Sequence, residues 1–349
     1  MTTYADSPHG AERPSARTTH ADSPHGAERP SARTTHADSP HGAERPSART
    51  TIATHGPLGP GRAATGVRAV IEAAREAPLV PVAILGGLML VAILADLIAP
   101  HDPTLPVKGA NVFDPPFWME GGRTTTLLGT DFQGRDVLSR LIHGARVSLI
   151  VGLMGTLVAG GIGTAMGILS GYVGRWVDQV IMRVTDAWLA LPALVFAIFL
   201  ATMVGPSMWN IVFVLGAVYW TRYARVIRGE VLTLREREFV KLAEIAGASK
   251  LRVIKRHILP NVMNTATVLA SLTIGVVIIA EASLSFLGVG VPPPQPAWGL
   301  MLAEARPTLM AGQWWLTVFP GLCILLIVLA TQLFGDWLRV RLDPQLRNL

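Results

Sequence analysis

The chain has a single cysteine, Cys323, so no intrachain disulfide can form and an oxidised, stapled scaffold is excluded. Charge is scarce as well. Asp, Glu, Lys and Arg make up 15% of the residues, against about a quarter in a soluble globular domain. No Gly-Lys pair occurs, which removes the Gly-x-x-x-x-Gly-Lys-Ser/Thr loop that cradles nucleotide phosphates. His-Glu-x-x-His and Gly-x-Ser-x-Gly are missing too, and with them the signatures of a membrane metallohydrolase or serine hydrolase. The chain is therefore not expected to be an enzyme, to bind ATP itself or to hold a cofactor.

What is present is hydrophobic: half of the 349 residues. The first part is the exception. The unit from Ala5 to His20 recurs from Ala21 and again from Ala37. It offers no apolar face to bury, so residues 1–55 are expected to be a disordered tandem-repeat tail rather than a solenoid. Its histidines (His9, His20, His25, His36, His41) follow no short ligand spacing, and no metal site is expected. Residues 56–78 read as a lead-in, and 79–349 as a membrane domain.

A bilayer-crossing helix needs about 20 mostly apolar residues. Six stretches qualify: 79–99, 147–171, 187–205, 209–227, 266–287 and 316–337. An all-α, polytopic fold is expected. Gly163, Gly167 and Gly171 recur at every fourth position of the second stretch, a spacing that lets helix backbones approach closely in lipid. Leu191-Pro192 should kink or start a helix, and Trp298, Trp314 and Trp315 read as interface anchors. From Arg222, near the end of the fourth stretch, to Arg256 lie ten Lys and Arg residues, whereas 288–315 holds only Arg306. Excess positive charge marks the cytoplasmic side, so the basic loop and both termini are expected inside. The segment between the first two stretches fits less well, because it carries Lys108, Arg123, Arg135, Arg140 and Arg146 yet falls outside. The net charge of +6 is thus assigned to membrane topology, not to nucleic acid.

The basic loop, 228–260, is patterned. Phe239, Leu242, Ala243 and Ala246 repeat at helical spacing and form one apolar face. Gly247 can take the left-handed conformation that ends a helix. Ser249 can cap a second short helix carrying Leu251, Val253 and Ile254, and Pro260 marks the entry to the fifth span. An amphipathic segment lying on lipid would look similar. The segment resembles the cytoplasmic EAA loop of ABC importer membrane subunits: Ala243, Gly247, Leu259 and Pro260 fall at the family spacing, while Lys241 and Leu242 replace the Glu and first Ala and His257 stands for Ile.

The resemblance extends further. Leu128 to Asp136, followed by Ser139-Arg140 and Gly144 to Leu149, is similar to the segment before the second span in the dipeptide, oligopeptide and nickel permeases. Glu281 to Gly288 and Pro296 to Gly299 are similar to that family's fifth-span exit and outer loop. The set favours the second of the two paired permeases. It implies a type I ABC importer fold of six membrane helices and half of a translocation pore in the bacterial cytoplasmic membrane. The implied partners are a second permease, two ATPase subunits carrying ATP and Mg, and an extracytoplasmic solute-binding protein. Phe239, Leu242, Ala243, Ala246, Gly247, Ala248, Leu251, Leu259 and Pro260 are then the expected coupling residues. Glu281 and Ser283 are candidates for the substrate path, with a charge snorkelling to the interface or a structural hydrogen-bond acceptor as the alternatives for Glu281. Peptides are the first choice of solute, and nickel chelates or glutathione stay open. An ion-coupled secondary transporter is the rival, but its mid-membrane stripe of carboxylates is missing: Asp96, Asp178, Asp186, Glu281 and Asp336 all lie towards span ends.

Overall fold

The computed structural model describes residues 78–342; the repeat tail, the lead-in up to 77 and residues 343–349 lie outside them. The described residues form α-helices and turns. In order these are α1 (Leu79–Ile93), α2 (Ala95–Ile98), α3 (Val137–Val173), α4 (Arg175–Leu189), α5 (Ala193–Val204), α6 (Met208–Arg235), α7 (Glu238–Ile245), α8 (Lys250–Val253), α9 (Leu259–Phe286), α10 (Trp298–Ala305) and α11 (Trp315–Leu342). A π-turn, Ile254–Ile258, joins α8 to α9, and a 3-10 turn, Arg306–Ala311, follows α10.

Each of the six expected spans meets helix, with differences in extent. Three helical stretches are long and apolar enough to cross a membrane alone: Val137–Val173, Lys250–Phe286 and Trp315–Leu342. A fourth arises if α4 and α5, bent by 95°, count as one broken span. Pro192 causes the break. It has no N–H to continue α4, and it caps α5 with extended backbone. The first span is shorter than expected, since α1 has 15 residues and stops at Leu94. α6 has 28 residues, about 42 Å of helix, but Arg222, Arg225 and Arg228 interrupt its apolar character.

α3 is the axis of the bundle. Along one side it packs in parallel on α6 through its glycines. A methyl group at Gly163 would stand 2.3 Å from the Trp220 carbonyl oxygen, one at Gly167 2.8 Å from that of Ala224, and one at Gly171 2.8 Å from the Val231 side chain. The four-residue spacing thus works as read: only hydrogen fits where the two backbones meet. Along another side α3 packs antiparallel on α9, where Gly152 faces Ile278, and α9 packs on α11 through Gly275 and Gly335.

One end of the bundle is closed by a loop-rich cap, residues 99–136, in which nearly every residue of the Leu128–Asp136 motif has a structural task. Gly129 takes φ +82, where a methyl group would also meet the Asp114 carbonyl at 2.4 Å. The Thr130 hydroxyl donates to the Asn111 carbonyl at 2.7 Å and accepts from the Asp114 amide at 2.8 Å. Asp131 accepts from the amides of Gln133 and Arg135. Asp136 caps α3, accepting from the Ser139 amide at 2.9 Å and its hydroxyl at 2.6 Å. Arg135 reaches Asp131 at 2.7 Å and Glu304 of α10 at 3.0 Å, and Arg140 joins the same two carboxylates. All but Glu304 are buried, so the four charges pair inside the protein.

Trp298 departs from its expected role as an interface anchor. It is fully buried, its indole N–H donates to the Leu141 carbonyl at 3.0 Å, and Gly144 clears the space for its ring. Trp315 is buried in the same core and Trp314 is exposed. Cys323 packs half-buried at the edge of that core.

Candidate functional site

At the other end of the bundle, residues 236–258 form a hook. Glu238–Ile245 is a helix because its apolar residues recur at helical spacing and no glycine or proline interrupts them. It ends in a Schellman turn: the Ala248 amide bonds the Ala243 carbonyl at 3.0 Å and the Gly247 amide bonds the Glu244 carbonyl at 3.0 Å. Gly247 has φ +81, a conformation that a side chain resists. A Cβ there would meet nothing, so the requirement is of the backbone alone.

The hook packs onto the bundle largely by residues outside the apolar stripe. Val240 is the buried residue of α7, and Ala243 and Ala248 lie half-buried beside it against Val231, Val253 and Ile258. Phe239, Leu242 and Ala246 point away from the bundle. Ile245, which sequence reasoning passed over, is the most exposed of the hook's large apolar residues at 83%, followed by Leu242 at 63%, Leu251 at 61% and Phe239 at 42%. It stands three residues after Leu242, so the helical period could have found it.

Two expectations are corrected. Ser249 stands before α8 with extended backbone, but its side chain makes no capping bond. The second short helix is also not separate: α8, the π-turn and α9 form one continuous 37-residue helix. Pro260 does not end it. Having no N–H, the proline cannot bond the carbonyl four residues back, and the π-turn absorbs the defect by bonding the Leu259 amide to the Ile254 carbonyl. The Asn261 side chain satisfies the His257 carbonyl. Leu259 is half-buried and Pro260 exposed.

Polar contacts tie the hook to the spans. The Tyr172 hydroxyl at the end of α3 donates to Glu244 at 2.7 Å, and Arg235 reaches the Tyr172 carbonyl. Nearby, Asp178 of α4 pairs with Arg228 of α6 and accepts from the Ser170 hydroxyl. Lys241 pairs with Glu236 at 2.9 Å and holds that carboxyl below its ordinary range. Arg237, Lys250, Arg252, Lys255 and Arg256 are exposed around the apolar face.

Glu281, a candidate for the substrate path, lies far from the hook. It is fully buried between α9 and α3, accepting from the hydroxyls of Ser285 at 2.7 Å and Ser148 at 3.4 Å. Ser283 is half-buried and donates to the Ile279 carbonyl. Among the described residues no cluster of His, Cys, Asp and Glu could hold a metal ion.

Comparison with known proteins agrees with this architecture. Residues 163–348 match the family described as binding-protein-dependent transport system inner membrane component. The chain is 42% identical over 270 residues to the di/tripeptide transport system permease protein DppC of Pseudomonas aeruginosa, covering 76% of this chain and 88% of the relative. It is 43% identical to the dipeptide transport system permease protein DppC of Escherichia coli, covering 74% and 86%. It is 40% identical to the glutathione transport system permease protein GsiD of Pectobacterium atrosepticum, covering 70% and 81%. No support appears for the secondary-transporter alternative. The chain is a multi-pass protein of the bacterial inner membrane and belongs to the dipeptide and oligopeptide permeases of ABC importers.

Proposed function

We propose that this chain forms half of a translocation pore for di- or oligopeptides and is driven by separate ATPase chains that dock on the hook. One observation carries the reading: α7 presents Phe239, Leu242 and Ile245 outward from a helix that is otherwise anchored by a buried valine, a Schellman turn and a hydrogen bond to α3. Exposed apolar residues on a rigid, basic-rimmed element mark a protein-binding surface. A lipid-lying segment would not need the Tyr172–Glu244 anchor. The relatives' names support peptides as the solute, with glutathione as a tripeptide variant.

In this reading Phe239, Leu242, Ala246 and Leu251 touch the ATPase, while Ala243, Gly247, Ala248, Leu259 and Pro260 shape the hook. ATP and Mg sit on the two ATPase chains, a second permease completes the pore, and an extracytoplasmic binding protein delivers the solute. The excess of Lys and Arg around the hook supports a cytoplasmic location for it, and in this reading an even number of crossings brings both termini to the same side. Because α8 and α9 are one helix, a displacement of the hook moves a span directly. ATPase closure then biases the two pore states by the difference in how each fits the docked hook.

The test is the double variant Leu242→Glu with Ile245→Glu. Both side chains are exposed, so insertion is retained, while two charges enter the docked apolar face. Expected is loss of the ATPases on co-purification and loss of uptake at normal permease level. Retention of both would remove the hook as the coupling element.

A further inference from the structure

The cap carries a short arm, residues 115–122. Pro115 and Pro116 stiffen its approach, and two successive turns close its tip. The Met119 amide bonds the Pro116 carbonyl at 2.9 Å, and the Gly122 amide bonds the Met119 carbonyl at 2.9 Å. The Phe117 amide bonds the Leu127 carbonyl at 3.2 Å and so holds the arm against the returning chain. Only hydrogen fits at Gly122, where a methyl group would stand 2.2 Å from the Pro116 carbonyl oxygen. Met119 packs half-buried against the core that contains Trp315. With that residue turned inward, its two neighbours are left outside: Phe117 is 50% exposed and Trp118 51%.

α11 sets the level at which they stand. The Trp118 ring meets Phe319 edge to face with centroids 6.3 Å apart, and Phe117 meets Trp118 the same way at 5.2 Å. Trp314, exposed just before α11, brings its ring to 5.8 Å from Phe319. α11 is long and apolar enough to cross a membrane, and Phe319 stands about 6 Å along it from its first residue. Packed on that ring, Trp118 lies where the span leaves the hydrocarbon. From there the exposed face of the span continues through Val318, Leu322 and Leu325.

We propose that the arm is a membrane anchor, with Phe117 and Trp118 seated in the headgroup layer of the leaflet at the cap end of the bundle. Tryptophan suits that depth, because its ring is apolar while its N–H meets headgroup oxygens. Rings from a loop and from a span converge on one level of α11, which is what a membrane plane selects; a protein partner selects a patch without regard to depth. The lipid then holds the cap from outside, as Arg135 and Arg140 hold it from inside. The proposal needs only that α11 crosses the bilayer, so it stands apart from the assignment of the hook.

The test puts the photo-cross-linking residue p-benzoylphenylalanine in place of Phe117, of Trp118 or, for comparison, of the exposed Lys108. The cells produce the full chain with its native partners, and their phospholipids carry radioactive phosphate. The new side chain is aromatic and replaces half-exposed residues, so insertion is retained, and the permease level in membranes checks this at each site. Irradiation should attach labelled phospholipid at Phe117 and at Trp118 but not at Lys108. Adding Trp118→Asp should abolish the adduct at Phe117 at an unchanged permease level, because a carboxylate is costly to seat against apolar surface and draws the arm into water. A cross-link to the second permease or to the solute-binding protein in place of lipid overturns the proposal. So does an adduct at Phe117 no stronger than at Lys108, or one that survives Trp118→Asp.

Discussion

At the cap, Arg135 and Arg140 are shut inside the protein between Asp131 and Glu304, whereas at the hook Arg237, Arg252 and Arg256 stand open. The same side chain serves two purposes. The buried guanidinium groups spend their hydrogen bonds on fixing a loop against α10, and the exposed ones are left to meet membrane surface or partner. The difference also accounts for the misfit in the charge pattern. Of the five cations between the first two spans, Arg123 pairs with Asp114, Arg146 with Asp96, and Arg135 and Arg140 with the cap carboxylates. These charges are structural, so their number says little about which side of the membrane the segment occupies.

The comparison breaks most readily at the cap. Arg140→Ala leaves Asp131 and Glu304 short of a partner, and should destabilise the protein by about 3–5 kcal/mol, the usual cost of removing one member of a buried ion pair. A drop in melting temperature in detergent and in membrane level would show it; an unchanged melting temperature would mean that the network is dispensable. At the hook the expectation reverses. Leu242→Glu with Ile245→Glu should change stability by about 0.5 kcal/mol or less, as surface substitutions do, yet abolish uptake.

Gly247→Val lies between the two, since the turn must hold φ +81 with a β-branched residue, at about 1–3 kcal/mol of local strain. Uptake should fall further than stability, read by comparing transport with melting of the same preparation. Tyr172→Phe removes one hydrogen bond between α3 and the hook, worth about 1 kcal/mol, and should raise the ATP hydrolysed per solute imported. An unchanged ratio would make that bond purely structural. The smallest effect belongs to the exposed pair Arg225–Asp186: Arg225→Met should shift stability by no more than about 0.5 kcal/mol, vanishing at high salt.

Much of this was legible in the residues themselves. Apolar runs located the helices, the glycine spacing located the α3–α6 contact, and Gly247 announced its turn, because each depends on neighbours within a few positions. The outward face of α7 was only partly legible. Helical period groups Phe239, Leu242, Ala243 and Ala246, but which edge of that group faces the bundle depends on where Val231 and Val253 lie, and those belong to other helices. The continuity of α8 with α9 was hidden for a related reason: proline reads as a boundary unless a π-turn absorbs it.

Sequence alone determined the membrane class, the helix positions and the family, since hydrophobicity, spacing and motif order are properties of a line of residues. Tertiary structure decided which polar residues are spent internally. Glu281, Trp298, Arg135 and Arg140 all look available in one dimension, and each is claimed by a partner from 4 to 169 positions away. Burial and pairing over such separations are fixed only when the helices pack, and that packing left Ile245 exposed.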